Sequence, residues 1–401
     1  MDIKPRVCVL GGGFAGIQAT RSILRRLPHA DVTLIDRNPY ATMIPALPDA
    51  LSGRIARGAM KRPFNGLFAA DRVRLVTDSI ARADLPARTL QGRTATYPYD
   101  ALVIAVGSVP EYYGFSPANG TLCTAHSFLA VEALRTAVAQ RHTTDPDAPV
   151  VIVGGGYTGI EVAACLRHGV QATGRSGSNG PPITIVEAGD GLLPFLTNRE
   201  RERVSAYLHE LGVNVRTSTT LTAFRDGVVT LSDGVTIPDA LVCWSAGMRA
   251  AVPDLAPQPE QTRDGRLEVN EFLQLPGFPE VFVSGDAAAL KKNGAVVRRA
   301  VNFAFYSGRR AGRNLASFLR NRPMRAFSPV DLGWVIPMGG ISVGRLFGAL
   351  RVGGRFGLRL HYAMCGFRHF PGASTGEFYR TAFRLKRVPD PLRSTPSGDR
   401  R

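Results

Sequence analysis

Two glycine-rich turns of one form constrain this chain more than any other feature. Gly11-x-Gly13-x-x-Gly16 follows the apolar run Arg6-Val-Cys-Val-Leu10 and opens the helically spaced stretch Ile17 to Leu27, after which Asp31 to Asp36 returns to a strand. The same order recurs in Val150 to Val153, Gly154-x-Gly156-x-x-Gly159, a helix expected from Ile160 to about His168, and a strand from Ile183 to Glu187. In such a strand-turn-helix the first glycine permits the tight turn, the second lets a pyrophosphate approach, and the third seats helix on strand. The helix N-terminus then receives the phosphates. Asp36 and Glu187 end the second strand of each unit, where a carboxylate accepts hydrogen bonds from ribose hydroxyls. Two bound dinucleotides are expected, with Phe14, Ala15 and Arg37 grouped with the first site and Thr158 with the second. Glu187 would repel a 2′-phosphate, and Ala188 to Gly191 supply no arginine to offset it, so the second site is expected to select NADH over NADPH.

A chain of 401 residues exceeds what one hydrophobic core serves, and about 100 to 200 residues per domain implies two or three domains. The expected division is 1–112 and 266–326 for a split first nucleotide domain, 113–265 for the second, and 327–401 for a C-terminal region. Five cysteines include no CxxC pair, which fits a reducing compartment, and the histidines show no metal-ligand spacing, so no metal is expected. Met1 to Pro5 lead straight into the first strand, read here as the absence of a leader peptide. No nucleophile elbow or Walker loop supports hydrolysis or phosphoryl transfer.

These motifs resemble the FAD-dependent pyridine nucleotide oxidoreductases over about residues 6 to 320, and most of all the type II NADH:quinone oxidoreductases. Val281-Phe-Val-Ser-Gly285-Asp286-Ala287 is similar to the second FAD motif, whose aspartate contacts the ribityl and phosphate region. Ala105-Val-Gly107-Ser-Val-Pro110 and Trp244-Ser-Ala-Gly247 are similar to the junctions at which the chain crosses between domains. The resemblance implies an α/β fold with two Rossmann-like domains, the FAD domain split around an NADH domain, plus a C-terminal α+β or amphipathic tail. It also implies FAD and NADH as cofactors, hydride transfer from NADH to FAD, and two electrons delivered to a quinone without proton pumping. Glu161, in Gly159-Ile-Glu161-Val-Ala163, is the candidate near the nicotinamide side.

At the acceptor side the chain departs from the group's pattern. Ala300-Val-Asn302-Phe-Ala304-Phe-Tyr-Ser307-Gly308 lacks both glutamines of the corresponding helix, leaving Asn302 as the second candidate catalytic residue and Ser307 as a further polar contact. Arg37 to Leu51 contain no cysteine pair, which excludes a dithiol-disulfide reductase, whereas Cys123, Cys165 and Cys365 keep sulfide:quinone chemistry open as an alternative. A soluble NAD(P)H-dependent flavin reductase and an interaction flavoprotein similar to apoptosis-inducing factor are the others.

The net charge is +17, and residues 351–401 carry eleven Lys or Arg against three acids, or +8 of it. Because 44 of the 49 basic residues are arginine, charge alone is not taken to indicate nucleic acid. Leu332 to Leu350 reads as short strands, since Pro337 and several glycines oppose a spanning helix. Phe356, Leu360, Ala363, Phe367 and Phe370 fall on one face of a basic helix, and Phe378, Ala382 and Leu385 on another. The tail is therefore expected to lie on an anionic membrane surface, and the resemblance to the type II group implies a respiratory-chain protein that is cytoplasmic and peripheral on the inner face of the cell membrane. A homodimer is compatible with the same apolar faces.

Overall fold

The computed structural model describes residues 4–69, 71–116, 122–172, 181–368, 376 and 378–381. Their helices are α1 (Phe14–Arg26), α2 (Asp49–Ser52), α3 (Phe128–Thr144), α4 (Tyr157–Ala172), α5 (Asn198–Glu210), α6 (Val301–Phe318) and α7 (Gly354–Arg368). Two compact units comprise the described residues of 1–42, 61–109 and 248–332, and of 43–60, 110–247 and 333–401.

The first unit is built on a six-stranded sheet in the order Gln274–Leu275, Phe278–Val283, Ala101–Ile104, Arg6–Leu10, Asp31–Asp36, Arg74–Thr77. All pairs are parallel except the first. Val7, Val9, Leu102, Val103 and Val281 to Val283 are sealed from water, as strands covered on both faces require. α1 and α6 cross at unusually short range. A Cβ on Gly308 would lie 2.1 Å from the Ala15 carbonyl oxygen, and one on Gly312 would lie 2.4 Å from that of Ala19. A smaller sheet orders Asp254–Ala256, Ile80–Asp84, Thr89–Gly92 and Thr96–Pro98.

The second unit repeats the principle with five parallel strands, Leu122–Thr124, Leu241–Trp244, Val150–Val153, Ile183–Val186 and Val213–Arg216 in spatial order. The strands Gly333–Met338, Ile341–Leu346 and Leu350–Gly353 form an antiparallel sheet that leads into α7, so Leu332 to Leu350 is indeed strand rather than helix.

Local pattern reading places several boundaries differently. Residues 43–60 fold with the second unit because α2 lies against α4, where a Cβ on Gly169 would sit 2.2 Å from the Leu51 carbonyl oxygen. That close approach also explains why α4 runs through Gly169 to Ala172 instead of stopping near His168. Residues 248–265 fold with the first unit, where Asp254–Ala256 pairs with Ile80–Asp84 and the Ala251 amide donates to the Gly107 carbonyl at 3.0 Å. The C-terminal sheet folds with the second unit. The Gly340 amide donates to His168 Nε2 at 3.1 Å, and Arg345 pairs with Glu200 at 2.7 Å at the start of α5.

α7 has two apolar faces. Leu358, Tyr362 and Cys365 pack inward, while Phe356 on the expected membrane-facing stripe is 67% exposed. The side chain of Phe367 and all of Phe370 lie outside the described residues, as do Ala382 and Leu385, whereas Phe378 is buried and so is not part of an exposed apolar face.

Candidate functional site: two nucleotide loops and a buried carboxyl cluster

In the first unit Gly11 holds φ at +101°, and a Cβ there would meet the Ala105 carbonyl oxygen at 2.4 Å. A Cβ on Gly16 would meet the Gly11 carbonyl oxygen at 1.8 Å, so this glycine is demanded by helix-on-strand packing. Gly13 is different, because a Cβ there meets no protein atom within 4 Å. Packing of the protein itself does not call for glycine at this position, whereas close approach of a pyrophosphate does. α1 has neither a side-chain cap at Gly13 nor an acid in its first turn, so the helix supplies no carboxylate of its own to its positive end.

Asp36 fixes the loop. Its Oδ2 accepts the Gly12 amide at 2.7 Å, and its Oδ1 accepts the Asn38 amide at 2.7 Å. Burial raises its pKa, and those two bonds oppose the rise. Arg37 is exposed beside it. Ala105 donates its amide to Leu10, and Gly107 holds φ at +72°. Asp286 lies in the turn Gly285–Ala287, where its Oδ2 accepts the Ser108 hydroxyl at 2.8 Å; burial raises its pKa, against which that bond, Arg299 and Arg266 act. Gly285 faces α1, its Cβ position 2.9 Å from that of Ala15. Residues distant in sequence thus bring one acid to each end of the α1 loop, a donor and acceptor set that fits an elongated dinucleotide.

The second unit reproduces the loop. Gly154 holds φ at +105°, a Cβ on Gly159 would meet the Gly154 carbonyl oxygen at 1.9 Å, and a Cβ on Gly156 again meets nothing. Glu187 accepts the Gly155 amide at 2.6 Å on Oε2 and the Gly189 amide at 2.7 Å on Oε1. Thr158 stands in the first turn of α4, which carries no acid. Gly247 holds φ at +79° with its Cβ position 2.2 Å from the Tyr113 hydroxyl, and Trp244 Nε1 donates to the Glu111 carbonyl at 2.8 Å. The residues present therefore fit a dinucleotide in each unit.

Two features here escape a reading of local motifs. Arg201, from α5, reaches the loop after Glu187, its Nη1 2.8 Å from the Cβ position of Gly191, so a cation does stand near this turn. Next to the loop Tyr157 stacks on Phe195 with ring centroids 5.2 Å apart, and Trp334 meets Phe195 edge-on at 5.3 Å.

The candidate acceptor residues lie deep in the fold. Asn302 is buried and donates its amide to the Val330 carbonyl at 2.9 Å. Ser307 accepts the Gly285 amide at 3.0 Å, which ties α6 to the Asp286 turn. Glu161 lies on α4, where burial first and the nearby Asp49 second push its carboxyl well above the usual range. Cys123 stands opposite Cys243 on neighbouring strands, while Cys165 on α4 and Cys365 on α7 both lie near Asp49 and Glu161, and all four are buried. Burial raises the pKa of each, which keeps them as thiols rather than reactive thiolates.

Two Rossmann-type units, each with a glycine loop locked by a strand-end carboxylate, define a protein with two dinucleotide-binding sites. The chain belongs to the pyridine nucleotide-disulphide oxidoreductase family, whose profile matches residues 5–306. A type II NADH:quinone oxidoreductase of Staphylococcus aureus (strain NCTC 8325 / PS 47) is 25% identical over 370 residues, spanning 86% of this chain and 90% of that protein. In fold the chain is similar to NDH2 from Plasmodium falciparum, solved in complex with NADH, with a TM-score of 0.82, 16% identity, and coverage of 95% and 98%. It is also similar to the sulfide:quinone oxidoreductase of Aquifex aeolicus, with a TM-score of 0.77, 17% identity, and coverage of 94% and 93%.

Proposed function

We propose that this chain is an FAD-dependent NADH:quinone oxidoreductase of the non-proton-pumping, type II kind. The observation that carries the reading is the pair of loops, each with a sterically open central glycine and an acid bonded to the preceding glycine's amide. When bound, FAD would supply the redox chemistry that links NADH oxidation to quinone reduction. Gly11, Gly13, Gly16, Asp36, Ala105, Gly107, Gly285 and Asp286 would hold FAD, and Gly154, Gly156, Thr158, Gly159, Glu187 and Gly247 would hold NADH. The protein's own tasks are to bind and orient these groups and to manage protons.

Proton balance gives Glu161 its task. The hydride brings two electrons and one proton, and quinol formation needs one more proton, which a protonated carboxyl can supply and water can restore. Asn302 acts through its bond to Val330, holding the start of α6 in place.

Attachment to an anionic membrane is supported by the second unit. Phe347 at a hairpin tip, Leu350 and Phe356 are 69%, 58% and 67% exposed, and Arg351, Arg355 and Arg359 lie between or beside them in sequence. This combination suits insertion of apolar tips below a layer of anionic headgroups. No helix among the described residues is long and apolar enough to cross a membrane.

The test is anaerobic steady-state oxidation of NADH by the FAD-loaded protein with a short-chain quinone. Quinone-dependent turnover is expected. Flavin reduction without turnover would move the acceptor to another class, and no reduction by NADH would overturn the donor assignment.

A further inference from the structure

In the second unit the strand order reverses at Val150–Val153. The chain leaves that strand for Ile183–Val186 and Val213–Arg216 on one side and returns to Leu241–Trp244 on the other. A dinucleotide lies outside the carboxyl ends of the strands at such a switch point. The two ends touch here. A Cβ on Gly154 would meet the Ala246 Cα at 2.8 Å, and the Ser245 hydroxyl lies 3.0 Å from both the Val153 and Gly154 carbonyls. Glu187, beyond Ile183–Val186, takes the adenosine ribose, so the nicotinamide half falls to the opposite side, at Ser245 to Gly247.

Against Gly247 stands a side chain that folding alone does not explain. Tyr113 places its hydroxyl 2.2 Å and two ring carbons 2.8 Å from the Cβ position of Gly247, yet it is 71% exposed. Its φ is +50° and that of Gly114 is +77°, in a turn closed by the Phe115 amide on the Tyr112 carbonyl at 2.8 Å. A turn with both central residues in the left-handed region favours asparagine, aspartate or glycine there. The turn therefore accounts for the conformation but not for the tyrosine. Its neighbours Tyr112 and Phe115 turn inward, with ring centroids 5.6 and 5.2 Å from that of Trp244. Glu111 straps the turn to the crevice. Its Oε1 accepts the Tyr113 amide at 2.9 Å, and its own amide donates to the Gly247 carbonyl at 3.2 Å. The Tyr113 hydroxyl has no hydrogen-bond partner among the described residues.

We propose that Tyr113 contacts the nicotinamide of bound NADH, its phenol O–H donating to the carboxamide oxygen and its ring closing the Gly247 end of the crevice. This role rests on NADH being the donor. A neutral hydroxyl suits the task, because the carboxamide carbonyl is common to NADH and NAD⁺ and the bond orients the ring in either state. The free energy that a tyrosine costs in this turn is offset on binding, not on folding. Backbone conformation, exposure and the unused hydroxyl then share one cause.

The test is calorimetric titration of the full-length, oxidised, FAD-loaded protein with NAD⁺ and, separately, with ADP-ribose, which lacks the nicotinamide. Tyr113→Phe should weaken NAD⁺ about three- to tenfold, the loss of one neutral hydrogen bond, and leave ADP-ribose unchanged. Tyr113→Gly also removes the ring, so its loss of NAD⁺ affinity should be larger, again with ADP-ribose unchanged. That variant should melt no lower than the wild type, because glycine takes the left-handed turn without strain. Unaltered NAD⁺ affinity in Tyr113→Phe overturns the proposal. Parallel losses for NAD⁺ and ADP-ribose, or a Tyr113→Gly protein that melts well below the wild type, overturn it too, since Tyr113 is then a structural residue. A wild type that binds neither ligand overturns the NADH reading itself, and the proposal falls with it.

Discussion

Glu187 accepts the amide of Gly155 at 2.6 Å, so the carboxylate expected to choose the nucleotide also holds the loop that receives its phosphates. Selectivity and loop shape are coupled in one side chain. Glu187→Gln keeps one acceptor oxygen but presents an amide N–H to either Gly155 or Gly189. The wild type should favour NADH over NADPH by one to two orders of magnitude in kcat/KM, roughly what charge repulsion at this range supplies. In Glu187→Gln the NADH value should fall and the ratio shrink. Wild-type activity with NADPH equal to that with NADH would remove Glu187 from this role, and Arg201 beside Gly191 is then the group to examine.

The glycines of one loop separate folding from binding. Gly16→Ala forces a Cβ to within 1.8 Å of a backbone oxygen, so it should destabilise the first unit by about 3 kcal/mol or more. Gly13→Ala meets no protein atom, so its apoprotein should melt with the wild-type apoprotein, yet it should purify without flavin absorbance. Equal flavin content in Gly13→Ala and wild type would mean that no pyrophosphate lies against this loop.

How much of this could be read beforehand follows from sequence distance. The strand-turn-helix units are local and announce themselves through apolar runs and glycine spacing, and the sheets form around those runs. The boundary residues are not local. Gly169 reads as a helix stop until Leu51 is seen against it, and residues 43–60 carry no signal of the unit they join. Asp49 and Tyr362 are 313 positions apart, and Asn302 meets a backbone carbonyl 28 residues on, so neither contact has a spacing to detect. Charge misleads in the same way. The basic excess of the tail is visible as a run, but the mutual crowding of Arg309, Arg310 and Arg313 on α6 with Arg25 and Arg26 on α1 arises only because small residues let the two helices meet.

The membrane reading depends on three side chains. Replacing Phe347, Leu350 and Phe356 together by serine removes exposed apolar groups without opening the core. Partition onto vesicles containing anionic phospholipid should weaken at least tenfold, because each large apolar side chain is worth about 1.5 to 3 kcal/mol when fully inserted. Turnover with a water-soluble quinone should be retained. Unchanged sedimentation with vesicles would place attachment elsewhere in the chain.

His168 ties the C-terminal sheet to α4 in a form that acid should break. Its Nε2 accepts the Gly340 amide at 3.1 Å, which only the neutral imidazole can do, and burial pushes its pKa down to about 4. The unfolded chain takes up a proton near the ordinary histidine value of 6.5, whereas the folded one resists. This stabilisation is therefore complete above about pH 6.5 and is lost as pH falls toward 4, to a total of roughly 2 to 3 kcal/mol. His361, shifted in the same direction, adds to the slope. In thermal melts from pH 7.5 to 4.5, His168→Gln should begin less stable than wild type and lose less on acidification. Parallel pH profiles for the two proteins would show that His168 titrates alike in the folded and unfolded chain, and that acid sensitivity must be traced to the carboxylates instead.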